Sequence, residues 1–394
     1  MKRRSLALGL AALCTRCGPV APTETAEAAP APLGAFHRAL RAMQQRRTTA
    51  PVNVLQVGDS HTANDAFSNR MRELFQGRFG DAGRGMIPPG IPFATYRPAQ
   101  VAVSAAGWRT ESSLDPAARG PWGLAGVRQS AGPRAEMTLR GDTPGRLARV
   151  SVEWLGQRGG GGVDAFWDDA HAGSFSTAGQ GALWFAVPPG LPGAALTLRT
   201  RGDGPTDMLS LQVMRDRPGV TWSNLGTIGA TIDVVGAWDP ALMAAEAARL
   251  HPALLVVAFG TNEGFSSKTD EAGYEAAYAE RLDVLRRAAP GASVVVVGPP
   301  DGVRRAGPDD PACAEAPGWR QPPHLQFVRA VQRRVAARTG AFYWDWSAAM
   351  GGECSMVDWA RSDPPRAQAD HVHLFTLGYR ATAEVFFNAL LAPA

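Results

Sequence analysis

The stretch Val52-Asn53-Val54-Leu55-Gln56-Val57-Gly58-Asp59-Ser60-His61 decides the fold class. Val52 to Val57 is an apolar-rich segment that reads as a strand, and Gly58 lets the backbone turn sharply after it. Beyond the turn, Phe67, Met71, Leu74 and Phe75 fall at i, i+4, i+7 and i+8, the apolar stripe of an amphipathic helix. A strand, a tight turn and a helix open an α/β unit. Ser60 then lies just past the carboxyl end of a strand, where open α/β sheets place ligands. The helix dipole and free N–H groups there favour a developing anion. A plain helix N-cap is the competing reading of Ser60.

The second half repeats the rhythm. Asp239 caps and Pro240 opens a helix to about Leu250, followed by a continuous apolar strand over 253–259 that suits a parallel sheet covered on both faces. Helices are expected over 270–288, 324–338 and 376–391, with strands over 293–297 and 341–344. Between about 100 and 218 the period changes from 3.6 to 2. Val150, Val152 and Trp154 alternate with Ser151 and Glu153, and Leu209, Leu211 and Val213 with Ser210 and Gln212. Gly/Pro turns break this segment, which points to a β-sandwich or jelly roll inserted into the α/β pattern. The expected organisation is an α/β domain in two parts, 29–100 and 219–394, around an all-β insertion over 101–218. In that insertion Trp154, Phe166, Trp167 and Trp184 are candidates for stacking on sugar rings, although core packing is the commoner use of such residues. Asp164, Asp168 and Asp169 read as a solvated loop.

Lys2, Arg3 and Arg4 precede an apolar stretch over 6–13, the order of a secretory signal, with a small-residue cleavage site at Ala26-Glu27-Ala28. Residues 1–28 are therefore expected to be a signal peptide and the protein to be exported, periplasmic or secreted. Cys14 and Cys17 raise an outer-membrane lipoprotein as the alternative, against which Leu13 and Arg16 are poor residues before a lipidated cysteine. Cys313 and Cys354 form an even pair, either a disulfide or two buried thiols. Without spaced His or Cys partners they make no zinc site.

The chain has 394 residues, 45% of them hydrophobic and 19% charged, with a net charge of +4. It is too hydrophobic and too weakly charged for disorder, and long enough for a sizeable core. No apolar run reaches the ~18 residues a membrane span needs, so no stable membrane span is expected. The basic excess is almost all arginine, spread along the chain, which argues against nucleic acid as a partner and suits approach to an anionic polymer such as a bacterial wall. The sequence assigns no oligomeric state.

Three further blocks accompany Gly58-Asp59-Ser60-His61. Asn224-Leu225-Gly226-Thr227-Ile228-Gly229-Ala230-Thr231 is a glycine-bearing turn able to expose a backbone N–H. Gly260-Thr261-Asn262-Glu263 follows a buried strand, and Asp370-His371-Val372-His373 leads into the last helix. A serine hydrolase needs a nucleophile, a base held in one tautomer, and donors for an oxyanion. Ser60, His373 and Asp370 fit the first two roles, and the Ser60 N–H, the Gly229 N–H and the Asn262 side chain fit the third. His61, a neighbour on the same turn, is badly placed to act as base and reads as a packing or capping residue, with substrate contact as the alternative.

The order GDS, Gly, GTN and DxxH resembles the SGNH (GDSL-type) hydrolases, with His61 where the GDSL name has leucine. The resemblance implies a flavodoxin-like three-layer α/β/α serine esterase with Ser60 as nucleophile, Asp370 and His373 completing the triad, and Gly229 and Asn262 in the oxyanion hole. More narrowly, LQVGDSHTANDAFSNRMRELFQGRFGDAGRGM, PGVTWSNLGTIGATI and AAMGGECSMVDWA ahead of DHVHLFTLGY are similar to periplasmic peptidoglycan O-acetylesterases, which carry a carbohydrate-module-like β domain between the first two blocks. The implied partner is an acetylated glycan, peptidoglycan favoured, and the chemistry needs no metal or organic cofactor. An O-acetyltransferase or a deacetylase of another glycan shares these features, and a non-catalytic wall-binding protein is the alternative of a different class. A general lipase is disfavoured because no long apolar lid segment is apparent.

Overall fold

The structure, a computed structural model, describes residues 32–305 and 310–392; the expected signal segment with Cys14 and Cys17 lies outside the described residues. The chain opens with α1 (Gly34–Gln44), β1 (Val52–Gly58), α2 (Ser60–Ala63), α3 (Asp65–Phe79) and β2 (Gly83–Ile87). A run of strands follows: β3 (Val101–Ser112), β4 (Val127–Gly141), β5 (Arg149–Gly156), β6 (Gly162–Trp167), β7 (Ala170–Ser176), β8 (Gly181–Ala186), β9 (Leu196–Thr200), β10 (Asp207–Met214) and β11 (Val220–Gly226). Helices and strands then alternate through α4 (Pro240–Leu250), β12 (Pro252–Ala258), α5 (Thr261–Phe265), α6 (Glu271–Ala288), β13 (Ser293–Gly298), α7 (Leu325–Thr339) and β14 (Phe342–Asp345). The last helices are α8 (Trp346–Met350), α9 (Ser355–Arg361) and α10 (Thr376–Leu391).

A parallel five-stranded sheet runs β11-β1-β12-β13-β14. Counted along the chain this is the order 2-1-3-4-5, so the winding reverses direction beside β1, and ligands of such sheets bind at the carboxyl ends of the strands there. Side chains alternate across it into two cores. Leu55, Val57, Val257 and Val296 meet residues of α4, α6 and α7 on one face. Val54, Trp222, Val256 and Val295 meet α1, α3 and α10 on the other. These layers are the expected α/β/α arrangement, and the elements match their local signals closely. Asp239 accepts from the N–H groups of Ala241 and Leu242 at the start of α4. Helix α1, with Phe36, Leu40 and Met43 buried, was not anticipated. Gly58 departs from its expected role: it has no positive φ, and a Cβ there would collide with the Thr62 side chain and the Ala258 carbonyl. Close approach of α2 to the strand ends, rather than a special turn, requires glycine.

The remaining nine strands form one antiparallel hydrogen-bonded network, β7-β6-β9-β4-β10-β5-β8, with β3 added on β4 and β2 on β10. Trp154 and Trp167 lie in its core. Asp164 stands on β6, ion-paired with Arg201, not in a solvated loop, whereas Asp168 and Asp169 are exposed in the turn after it. The polar residues of the alternating pattern, Ser151, Glu153, Ser210 and Gln212, are buried along with their apolar neighbours. The cause is docking onto the α/β layers. Arg249 of α4 donates to Ser151 Oγ (3.0 Å) and lies 4.9 Å over the Trp184 ring, and Glu246 of α4 is buried on the same side.

Candidate active site

Ser60 is the first residue of α2, and the cap belongs to Asp59, whose Oδ1 accepts the His61 N–H at 3.0 Å. The Ser60 hydroxyl is thereby left for another partner, and its Oγ lies 3.0 Å from His373 Nε2. On the far side of the ring, His373 Nδ1 is 2.7 Å from Asp370 Oδ2. Asp370 Oδ1 accepts the N–H groups of Val372 (3.0 Å) and His373 (2.9 Å), so one carboxylate folds its own loop and holds the imidazole. Partial burial would raise the Asp370 pKa, but the His373 side chain and these two N–H groups outweigh it and hold the carboxyl below its ordinary value.

The loop carrying Asp370 and His373 is braced from outside. The Val303 N–H donates to the His371 carbonyl (3.1 Å) and the Gln368 N–H to the His373 carbonyl (2.8 Å). His371 adopts a left-handed φ of 57° and stacks on Trp319 with ring centroids 3.7 Å apart. The Trp319 carbonyl accepts the Cys313 N–H (2.9 Å), and the structure bonds Cys313 to Cys354. His61 is buried, with Nδ1 3.0 Å from the Tyr379 hydroxyl and its ring beside Trp346 and His373. Burial, helped by the neighbouring His373, pushes its pKa down to about 3, so it packs as a neutral ring.

Gly229 sits at the third position of a turn closed by the Ala230 N–H to the Thr227 carbonyl (3.2 Å), with the φ of +77° that glycine tolerates best. The Gly229 and Ser60 N–H groups have no acceptor among the described residues. Asn262, in α5, donates one amide hydrogen to the Ala230 carbonyl (2.8 Å), which ties its side chain to the Gly229 turn and leaves the second hydrogen unused. Glu263 braces the same turn by accepting the Ile232 N–H (2.9 Å); burial pushes its pKa up to about 7. Ser60 and His373 open on a groove of about 630 Å³ that Asn64, Asn69, Phe93, Arg97 and Ile228 also line.

Sequence reasoning missed the polar support beneath this groove. Asp65 Oδ1 accepts from Arg72 Nη2 (3.0 Å), Arg84 Nη2 (3.2 Å), Asn224 Nδ2 (3.1 Å) and the Ser68 hydroxyl (2.6 Å). Burial opposes its ionisation, yet the two guanidinium groups hold its pKa well below the carboxylate range. The available signal was the spacing of Asp65, Ser68 and Arg72 on one face of α3. Asn224 Nδ2 also reaches the Thr62 carbonyl (2.7 Å), linking this cluster to the helix of Ser60.

The family described as GDSL-like Lipase/Acylhydrolase matches residues 177–381, which contain Gly229, Asn262, Asp370 and His373 but not Ser60. Among solved structures, a peptidoglycan O-acetylesterase aligns with a TM-score of 0.74 at 26% identity, covering 91% of this chain and 95% of its own. A family two carbohydrate esterase from Clostridium thermocellum, in complex with cellohexaose, aligns with a TM-score of 0.30 at 15% identity over 72% of this chain and 98% of its own. One from Cellvibrio japonicus gives 0.27 at 12% identity over 73% and 98%. No curated protein matches. With a family match over more than half of its length, the chain belongs to the GDSL-like lipase/acylhydrolase family and is an esterase.

Proposed function

We propose that this esterase removes O-acetyl groups from a cell-wall polysaccharide, with peptidoglycan as the favoured substrate, through an acyl-enzyme on Ser60. The hydrogen-bonded line from Ser60 Oγ through His373 to Asp370, opening on the groove, carries the reading. In this mechanism His373 Nε2 takes the hydroxyl proton as Ser60 Oγ attacks the acetyl carbonyl. Asp370 keeps the other ring proton on Nδ1 and stabilises the imidazolium that forms. The Ser60 and Gly229 N–H groups and the second amide hydrogen of Asn262 receive the developing oxyanion. His373 then returns its proton to the departing sugar oxygen, and water, deprotonated by the same ring, releases acetate and restores Ser60.

Likeness to a peptidoglycan O-acetylesterase along nearly the whole of both chains supports the substrate class. On this reading the protein is exported behind residues 1–28 and works in the periplasm or outside the cell. The segment 101–218, whose antiparallel sheet also takes in β2 from the preceding part, is a carbohydrate-module-like domain inserted between 29–100 and 219–394. The test is acetate release from O-acetylated peptidoglycan, acetylated xylan and a chromogenic acetate. Release from the wall polymer is expected. Release from xylan or the chromogenic ester alone would keep the esterase and reject peptidoglycan.

A further inference from the structure

The groove holding Ser60 and His373 has a second wall, the segment over 88–100 that joins β2 to β3. This segment is fixed in place. Asp65 Oδ2 accepts the Ala99 N–H (2.8 Å), Arg84 Nε donates to the Ala99 carbonyl (3.2 Å), and Tyr96 is buried with its ring edge-on to Phe93. Arg97, in contrast, is exposed. Its Nη1 donates to the carbonyls of Ala94 (3.2 Å) and Tyr96 (2.7 Å), which orients the guanidinium while using one of its three nitrogens. Nε and Nη2, the edge that grips a carboxylate with two parallel bonds, meet no acceptor among the described residues. Among the described residues no carboxylate pairs with Arg97.

The charges around the groove do not cancel this cation. Asp65 is the acidic residue among those lining the groove, and that one negative charge already faces two guanidinium groups, Arg72 and Arg84. Arg72 stays charged at neutral pH: burial and its neighbour Arg84 lower its pKa only to about 10. Asp370 is engaged by His373. The wall facing the nucleophile is therefore net positive, with one oriented and unsatisfied fork of donors.

We propose that Arg97 is a specificity-determining residue that binds a carboxylate carried by the acetylated glycan, so that the groove selects anionic acetylated polymers over neutral ones. The inference rests on the groove being the acetylesterase site proposed above. Two polymers offer this chemistry: peptidoglycan, through lactyl and peptide carboxylates, and glucuronoxylan, through uronates. The competing role for Arg97, a brace for its own loop, predicts no dependence on substrate charge.

The experiment measures kcat/KM for O-acetylated peptidoglycan, acetylated glucuronoxylan, acetylated xylan without uronate, and para-nitrophenyl acetate. In Arg97→Gln the ratio of the anionic to the neutral substrates should fall about tenfold, and Arg97→Lys should recover part of it by restoring charge without the fork. Amidating the polymer's carboxylates should lower the wild-type ratio by a similar factor and leave the Arg97→Gln ratio where it was, because both changes remove the same contact. This substrate-side arm needs only the wild-type protein. A fall confined to peptidoglycan supports the lactyl or peptide group, and one confined to glucuronoxylan supports the uronate. An unchanged ratio in Arg97→Gln, or amidation that slows wild type and variant alike, overturns the inference and leaves the esterase reading standing. Absence of acetate release from every substrate overturns both.

Discussion

Beneath the groove that holds Ser60, the buried carboxylate of Asp65 on α3 is kept charged by arginine; where the antiparallel sheet docks on α4, two carboxyl groups are buried with each other. Asp65 keeps its charge because Arg72 and Arg84 both reach one of its oxygens. Among the described residues neither Glu153 on β5 nor Glu246 on α4 forms an ion pair, and the charge of nearby Arg249 only partly offsets the burial of Glu153. Glu153 Oε2 accepts the Ser210 hydroxyl (2.6 Å), Glu246 Oε2 accepts the Leu124 N–H (2.5 Å), and Oε1 of each is buried without a donor. Burial, and for Glu153 the neighbouring carboxyl group, raises both pKa values, that of Glu246 to about 7. A proton retained between them would supply the donor the pair lacks. The comparison teaches that a buried acid is tolerable in two ways, compensated by cations or kept neutral, and that these respond oppositely to pH.

The largest effect should come from breaking the compensated side. Arg72→Ala leaves Asp65 short of one of its two cations deep in the fold, and should cost about 3–5 kcal/mol in urea unfolding. A loss under about 1 kcal/mol would show that Arg84 alone suffices. Next, the strand ends of the parallel sheet should carry chemistry that the antiparallel region does not. Asn262→Ala should remain folded and lose ~100-fold in turnover, about 2.7 kcal/mol. Unchanged turnover would remove Asn262 from the oxyanion site.

Glu246→Gln sharpens the neutral side. Burial holds the Glu246 pKa up at about 7, above the ordinary carboxyl range, so the native state binds the proton more tightly and wild-type stability falls as pH rises from that range through about 7. The amide has no proton to lose. The variant's melting temperature should therefore fall less between about pH 5 and pH 8, gaining on the order of 1–2 kcal/mol on wild type at the upper end. Parallel curves would refute the retained proton. Asp65, with its depressed pKa, has the opposite sign: its stabilisation is present above the ordinary carboxylate pKa and is lost only in strong acid. The smallest effect belongs to Leu191, 81% exposed at the tip of the loop between β8 and β9. Leu191→Ser should shift stability by no more than about 0.5 kcal/mol.

The same contrast explains what could be read from the chain. The helices and strands of the parallel half announce themselves locally, through apolar runs and caps such as Asp239 before Pro240. The structure brings together Ser60, His373 and Asp370, residues picked from short blocks far apart in sequence. Partnerships without a local pattern were not legible. Arg84, Asn224 and Ala99 converge on Asp65 from β2, β11 and a loop, and no spacing along the chain encodes that meeting. Alternation along β5 marked the apolar face correctly but could not tell that the polar face is dry, because α4, nearly a hundred residues later, covers it. Helix α1 follows a Pro/Ala-rich stretch, and its anchorage, the Phe36 N–H on Ser293 Oγ (3.2 Å), depends on a strand near the other end of the chain.

The proposed chemistry stands or falls with Ser60 as the acylated nucleophile. The most direct measurement treats the full chain with a fluorophosphonate, follows acetate release from O-acetylated peptidoglycan, and maps the modified peptide by mass spectrometry. Loss of activity in step with a single adduct on Ser60 is expected, and no adduct in Ser60→Ala. Activity that survives full labelling of Ser60, or a Ser60→Ala variant that still releases acetate, would contradict it.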